Sequence, residues 1–352
     1  MRIALTSLYL PGGSKIGVGY QVHGLANALI DRGHEVTVFS QCEPGEGAKY
    51  QAEVVPARSR GATFGFAWDL RRVDFSGFDV LNAHGDDWFL WGKKRPWHVH
   101  TYHGSCLAEM MNIPGWKGKL RMGTLAVCEQ QAGLLADVRV TVSENTKRYV
   151  KGIQHVVPCG TDLDAFQPRD KADVPTLLFV GTMHGRKRGA WLLKIFHEVV
   201  KPAVPNARLW CVCDQPKKLP AGYDRDVTFW GRVSEKQLCE LYSAAWLFTL
   251  PSTYEGFGVP YIEAMASGTA VVATPNPGSR EVTADGRYGA IADDRTLGTK
   301  IIALLSDSSM RKVLEAQGLE RSLRYGWQSI CEQYENLYTP KTGKRHPLTP
   351  TT

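Results

Sequence analysis

Residues 251–274, PSTYEGFGVPYIEAMASGTAVVAT, place two glutamates, Glu255 and Glu263, eight positions apart across a glycine-broken turn. Just before them, residues 246–250 form a short apolar run that stops at Pro251, which reads as a buried strand. Gly256 and Gly258 allow backbone angles closed to other residues. Pro260 suits the first turn of a helix, where its missing N–H costs nothing, and Gly268 suits the helix end. The unit is strand, loop, helix. Glu255 falls in the loop at the strand's carboxyl end, and Glu263 about one turn into the helix. The N–H groups of Gly256, Phe257, Gly258 and Val259 face the same space, and helix N-termini of this kind hold phosphate. A ligand with hydroxyls at two places and a phosphate between them fits, as a nucleotide sugar does. Taken singly, Glu255 could be a solvated loop acid and Glu263 a residue that favours the helix dipole.

The run EGFGVPYIEAMASGTAVVAT resembles the signature of the family-4 (group 1) retaining glycosyltransferases, two glutamates separated by seven residues with a GFG turn after the first. The resemblance covers residues 1–338 and implies the GT-B fold: α/β, two Rossmann-like doubly wound parallel-sheet domains facing across a cleft. It implies an acceptor-side domain over residues 1–168, a nucleotide-sugar domain over 169–326, and a closing helix over 327–338 returning toward the first domain. From Thr339 the proline-rich polar sequence suggests a disordered tail. The implied reaction moves a sugar from a nucleoside-diphosphate donor to an acceptor hydroxyl with retention, on one face of the sugar, with no cofactor. Glu255 and the amides of Gly256 to Val259 would contact the donor sugar, and Glu263 the ribose. A nucleotide-sugar epimerase or hydrolase on the same fold is the alternative enzyme. A non-catalytic sugar-nucleotide-binding partner is the alternative from another class, and the intact glutamate pair speaks against it.

A chain of 352 residues exceeds what one core fills, and 43% hydrophobic with 22% charged residues is an ordinary globular composition. No apolar run reaches the length of a membrane span. The opening MRIALTSLYL carries one basic residue and leads to Pro11 without a cleavage-site pattern, so it reads as the first strand. Eight cysteines with no CxxC pair suggest small buried hydrophobes in a reducing, cytoplasmic setting. The net charge of +7 owes three charges to Lys341, Lys344 and Arg345, and no basic stripe points to nucleic acid.

In chain order, residues 2–7 are a strand, 11–19 a glycine loop, and Val22, Leu25, Ala26 and Leu29 mark a helix ending at Gly33 before a strand at 34–40. The loop lacks both GxGxxG and GK[ST], which argues against a dinucleotide or ATP site. The resemblance brings Gly12 and Gly13 close to the donor phosphates or the acceptor. Strands at 79–83, 97–102, 138–142 and 155–158, with a helix over 116–136, predict a parallel sheet whose ligands lie beyond the strands' carboxyl ends. His103, in TYHG, stands at such an end and aligns with the histidine that the family places near the reacting sugar; a lone histidine is more often structural. HGDDWFLW puts His84, Asp86 and Asp87 at another strand end as candidate acceptor ligands. Two adjacent carboxylates there, beside aromatic surface, would favour a small polar acceptor, including one that bears amines, over a lipid phosphate that they would repel. Alternatively Asp86 or Asp87 caps a short helix running to Lys93.

VVPCGTDLDAFQP (156–168) matches the family's hinge phrase, with Cys159 where asparagine is usual; its DLD is assigned no metal. After a strand at 176–181 comes TMHGRKRG, where the family neutralises the donor phosphates. Gly181, Arg186 and Lys187 inherit that role, and Thr182 stands where an arginine is common; an exposed basic turn is the plain alternative. With Arg186, Lys187 and the turn amides supplying positive charge to the leaving diphosphate, no divalent metal is expected. Strands at 208–213 and 227–230 follow, and Gly231 and Val233 occupy the nucleobase region of the family. Trp327, Ile330, Tyr334 and Leu337 share one face of the closing helix.

Overall fold

The computed structural model describes residues 1–13, 17–56, 62–113 and 115–340. The chain forms two compact units, one of residues 1–158 with the segment from Trp327 onward, the other of residues 159–326.

The first unit is built on seven parallel strands: β1 (Arg2–Thr6), β2 (Glu35–Ser40), β3 (Gln51–Val54), β4 (Val80–Ala83), β5 (Trp97–Tyr102), β6 (Val138–Thr141) and β7 (His155–Val156). Their order is β3-β2-β1-β4-β5-β6-β7, with Ile3 registered against Val36 on one side and Val80 on the other. The central strands β1, β4 and β5 are buried nearly along their whole length, as parallel sheets covered on both faces require, and carry Asn82, His98, His100 and Thr101 among their apolar residues. On one face, Val22, Leu25, Ala26 and Leu29 of the helix Gly17–Asp31 share a core with Ile330, Tyr334 and Tyr338 of the helix Trp327–Tyr338. The two helices touch where the Trp327 ring lies over Gly24; a Cβ there would stand 2.2 Å from the indole. Tyr338 Oη accepts a bond of 2.8 Å from Asn82 Nδ2 on β4, and Trp97 Nε1 on β5 donates to the Leu337 carbonyl at 2.8 Å.

The second unit has six parallel strands: β8 (Thr176–Val180), β9 (Arg208–Val212), β10 (Val227–Phe229), β11 (Leu247–Leu250), β12 (Ala270–Ala273) and β13 (Ala290–Ile291), in the order β10-β9-β8-β11-β12-β13. The short strands β3, β12 and β13 are additions to the sequence reading. The boundary also differs, lying at residue 158 and not 168. The reason is local: the Thr161 N–H donates to the Tyr325 carbonyl at 2.8 Å, and Phe166 packs edge-on against Tyr242 with ring centres 5.8 Å apart. Asp162 closes a turn, its Oδ1 accepting the N–H groups of Asp164 and Ala165 at 2.9 and 3.0 Å. The expected tail from residue 341 on lies outside the described residues, as do residues 14–16 of the glycine loop. No helix among the described residues is long and apolar enough to cross a membrane.

Candidate active site

In the second unit, two loops at the carboxyl ends of neighbouring strands meet. After β8, residues Gly185–Lys187 form a single 3-10 turn; after β11 comes the loop carrying Ser252 and Glu255. One backbone and one side-chain bond lock them together: the Thr253 N–H donates to the Arg186 carbonyl at 2.9 Å, and Arg186 Nη1 donates to the Tyr254 carbonyl at 2.8 Å. Three donors then converge on one oxygen. Glu255 Oε1 accepts from Ser252 Oγ at 2.6 Å and pairs with Arg186 Nη1 at 2.6 Å and Lys187 Nζ at 2.7 Å. Glu255 is 5% exposed. Its burial alone would raise its pKa, but the Lys187 and Arg186 charges outweigh that and hold it below the usual carboxylate range. Burial pulls the Lys187 ammonium down despite Glu255.

The turn that follows has one conformational requirement. Gly258 has φ of 103°, and a Cβ there would press into the Tyr261 ring at 2.5 Å. The N–H groups of Gly256, Phe257 and Gly258 donate to no backbone carbonyl among the described residues, and the helix Val259–Ala266 starts directly behind them. Glu263 lies one turn in, partly buried, and burial pushes its carboxyl up to about 7. The Tyr242 hydroxyl lies near enough to oppose that rise, though off hydrogen-bond geometry, while Glu235 adds to it.

Support comes from the segment after β12, whose residues 278–281 resemble a late loop of the family. After β12, Thr274 Oγ1 and Asn276 Nδ2 both donate to the Ser252 carbonyl, at 2.8 and 3.1 Å. Asn276 also caps the helix Pro277–Thr283 reciprocally with Ser279. Gly278 sits so tightly that a Cβ would fall 2.3 Å from the Phe257 carbonyl oxygen and 2.9 Å from Glu255 Cβ. The signal was present as T-x-N-P-G-S, an N-cap sequence directly after a strand. Gly181 ends β8; Gly231, with φ of 61°, and Val233 follow β10, where the Gly231 N–H donates to the Cys213 carbonyl at 3.1 Å.

In the first unit, β4 and β5 deliver His84 and His103 side by side, with Nδ1 of the former 2.8 Å from Nε2 of the latter. Burial and His100 push His103 down to about 4, and burial keeps His84 well below its ordinary value, so the pair is neutral at neutral pH. His84 Nε2 is buried without a hydrogen-bond partner among the described residues. The two aspartates differ. Asp87 is fully buried, with His98 Nε2 2.9 Å from Oδ2 and His100 Nδ1 2.8 Å from Oδ1. Asp86, 8% exposed with φ of 66°, has no hydrogen-bond partner among the described residues, and burial with the nearby Asp87 charge pushes it up to about 8.

Two expectations about this segment are thereby corrected. Residues 88–93 form turns and no helix, so neither aspartate is a helix cap. Nor are there two free carboxylates to repel a phosphate, since Asp87 is engaged by histidines and Asp86 holds its proton at neutral pH. Gly12 and Gly13 have a packing reason to be glycine: a Cβ would fall 2.7 Å from the carbonyl oxygens of Glu43 and Pro44 in the first case and 2.4 Å from Cys42 Cβ in the second.

Residues 16–165 match the family model described as glycosyltransferase family 4, and residues 174–307 that described as glycosyl transferases group 1. The chain belongs to this glycosyltransferase family. It is 26% identical to the D-inositol 3-phosphate glycosyltransferase of Corynebacterium urealyticum, covering 99% of each chain. It is also 26% identical to the phosphatidyl-myo-inositol mannosyltransferase of Mycolicibacterium smegmatis, over 97% of this chain and 95% of the other. Among solved structures, sucrose-phosphate synthase from Thermosynechococcus elongatus matches with a TM-score of 0.80 at 24% identity, covering 96% of this chain and 98% of that one. Anabaena HepE in complex with UDP-glucose matches with 0.76 at 17%, over 96% and 98%. The fold of this glycosyltransferase is GT-B.

Proposed function

We propose that this glycosyltransferase is a retaining hexosyltransferase that moves a sugar from a nucleoside-diphosphate sugar to an acceptor hydroxyl without a divalent metal. The observation that carries the reading is the convergence of Ser252, Arg186 and Lys187 on Glu255 Oε1, beside the amides of Gly256, Phe257 and Gly258, which donate to no backbone carbonyl among the described residues. As the sugar–phosphate bond breaks, negative charge grows on the diphosphate. Arg186, Lys187 and the Gly256 to Val259 amides are fixed donors suited to stabilise it, the role a metal has elsewhere. Glu255 binds the donor sugar through hydroxyls, Glu263 the ribose, and the Gly231 to Val233 stretch the base, with Gly181 leaving room at the phosphate side. In the first unit, neutral His103 donates or accepts a hydrogen bond at the sugar, Gly12 and Gly13 bring backbone near the ligands, and His84 and Asp86 contact the acceptor. Asp87 acts through His98 and His100.

A panel of UDP- and GDP-sugars, in EDTA, tests this by thermal shift and then by product analysis. The acceptors to include are D-inositol 3-phosphate and phosphatidyl-myo-inositol, after which relatives are named, with simple polyols beside them. A donor at a hundred times its dissociation constant adds about 2.7 kcal/mol to stability. The expected product keeps the donor's anomeric configuration by NMR. An inverted product, or transfer that vanishes in EDTA and returns with magnesium or manganese, overturns the reading.

A further inference from the structure

Arg188, next to the two cations assigned above, belongs to no role described so far. Its backbone lies in the left-handed region, with φ of 54° and ψ of 37°, which disfavours any residue with a Cβ. Yet its side chain is among the best-held in the unit. Nη1 and Nη2 donate to the two oxygens of Asp294 at 2.7 and 2.8 Å, Nε donates to the Pro251 carbonyl at 2.6 Å, and the guanidinium stacks over Trp191 at 4.2 Å. Asp294 follows β13, Pro251 follows β11, and Arg188 itself follows β8, so one planar group joins three loops at the sheet's carboxyl end. The Arg188 N–H also donates to the Gly185 carbonyl at 3.2 Å, closing the turn that presents Arg186 and Lys187. Arginine's rigid fork can span such partners at once; lysine's single ammonium cannot.

We infer that Arg188 is a positioning residue for the donor diphosphate: by clamping Asp294, the Pro251 carbonyl and Trp191, it sets where Arg186 and Lys187 stand relative to Glu255. A strained backbone kept in place by four specific contacts is what such a role requires, since without it a glycine would serve the turn better. The inference rests on the donor site proposed above.

The substitution Arg188→Gly separates a positioning role from a merely structural one, because glycine accepts the left-handed conformation and offsets the lost contacts by relieving strain. Melting temperature is therefore expected to hold within a few degrees. The dissociation constant of the preferred diphosphate, UDP or GDP, measured by calorimetry, is expected to rise by about 10- to 100-fold, the scale of a misplaced contact group. Methylguanidinium added at millimolar concentration should restore part of the affinity in Arg188→Gly and none in Lys187→Ala. Arg188→Lys, which keeps the strain and the charge but not the fork, should fail to rescue. Unchanged diphosphate affinity in Arg188→Gly, with a clear loss in Lys187→Ala, overturns the clamp and leaves the donor site standing. Unchanged affinity in both overturns the donor site and the clamp with it.

Discussion

The two glutamates of one loop and helix have opposite electrostatic surroundings, and that difference is measurable. Glu255, held below the usual range by Lys187 and Arg186, is ionised throughout the working pH range. Glu263, pushed up to about 7, is not. If ribose hydroxyls donate to the Glu263 carboxylate, diphosphate binding favours the ionised form, and affinity should weaken by up to about tenfold per pH unit below 7. Isothermal titration across pH 5.5–8.5 reads this directly, and Glu263→Gln should flatten the profile. Glu263→Ala should cost the free diphosphate about 1.5–3 kcal/mol of binding, one charge-assisted contact, while Glu255→Ala leaves that affinity nearly intact and suppresses transfer. Equal losses of diphosphate affinity would remove the division of labour. The adjacent aspartates of the first unit part in the same way. Asp87→Asn strips two buried histidines of their shared carboxylate and should destabilise by about 3–5 kcal/mol. Asp86 has a folded-state pKa of about 8, above its unfolded value, so its proton is held more tightly in the native state and stability falls as pH rises from the ordinary carboxyl range through 8. Asp86→Asn, with asparagine well suited to φ of 66°, should abolish that decline in urea titrations and raise only the acceptor's Michaelis constant.

At the scale of the element, strand–loop–helix was readable because each part has a local cause: an apolar run for β11, glycines for the turn, proline for the helix start. The position of Arg186 and Lys187 just past a strand was legible too. Ser252 and Asn276 were not, because their importance lies in contacts between loops from three different strands, which spacing along one chain does not encode. The aspartates were misread for a related reason. HGDDWFLW contains nothing that tells a carboxylate facing solvent from one turned onto histidines of the next strand, His98 and His100. Gly278 turns the lesson into a prediction. A methyl group there meets backbone, the Phe257 carbonyl at 2.3 Å, so the loop after β12 and the glutamate loop must separate. Gly278→Ala should weaken diphosphate binding although residue 278 has no role of its own in binding, and calorimetry with the tighter of UDP and GDP checks it. Gly77→Ala, where a Cβ meets nothing, serves as the control that should leave binding unchanged.

For the whole molecule, the consequence of the chain's course is that the last helix stabilises the unit built from the first strands. Ile330, Tyr334 and Tyr338 are buried with Val22 and Leu25, and Tyr338 holds Asn82 on β4. Outside that core, Glu335 takes two bonds from Arg32, at 2.8 and 2.7 Å, with His34 Nε2 2.8 Å away. The Arg32 bond, opposed by slight burial and helped by His34, lowers the Glu335 pKa to about 2. A depressed carboxyl contributes stability that is present above its unfolded pKa and is lost as pH falls toward 2. With its side chain 23% exposed and that of Arg32 30% exposed, solvent screening cuts the contribution to about 1–2 kcal/mol. Two variants separate core from clamp. Tyr338→Ala should destabilise the first unit by about 3–5 kcal/mol at every pH, since it leaves a cavity and an unpaired Asn82. Glu335→Gln should destabilise it by about 1–2 kcal/mol above pH 4.5, its difference from wild type shrinking as pH falls from 4.5 toward 2. Scanning calorimetry should show the transition of the first unit moving in both variants and that of residues 159–326 in neither. A shift of the second transition by Tyr338→Ala would mean that the helix stabilises more of the molecule than the unit whose core it completes.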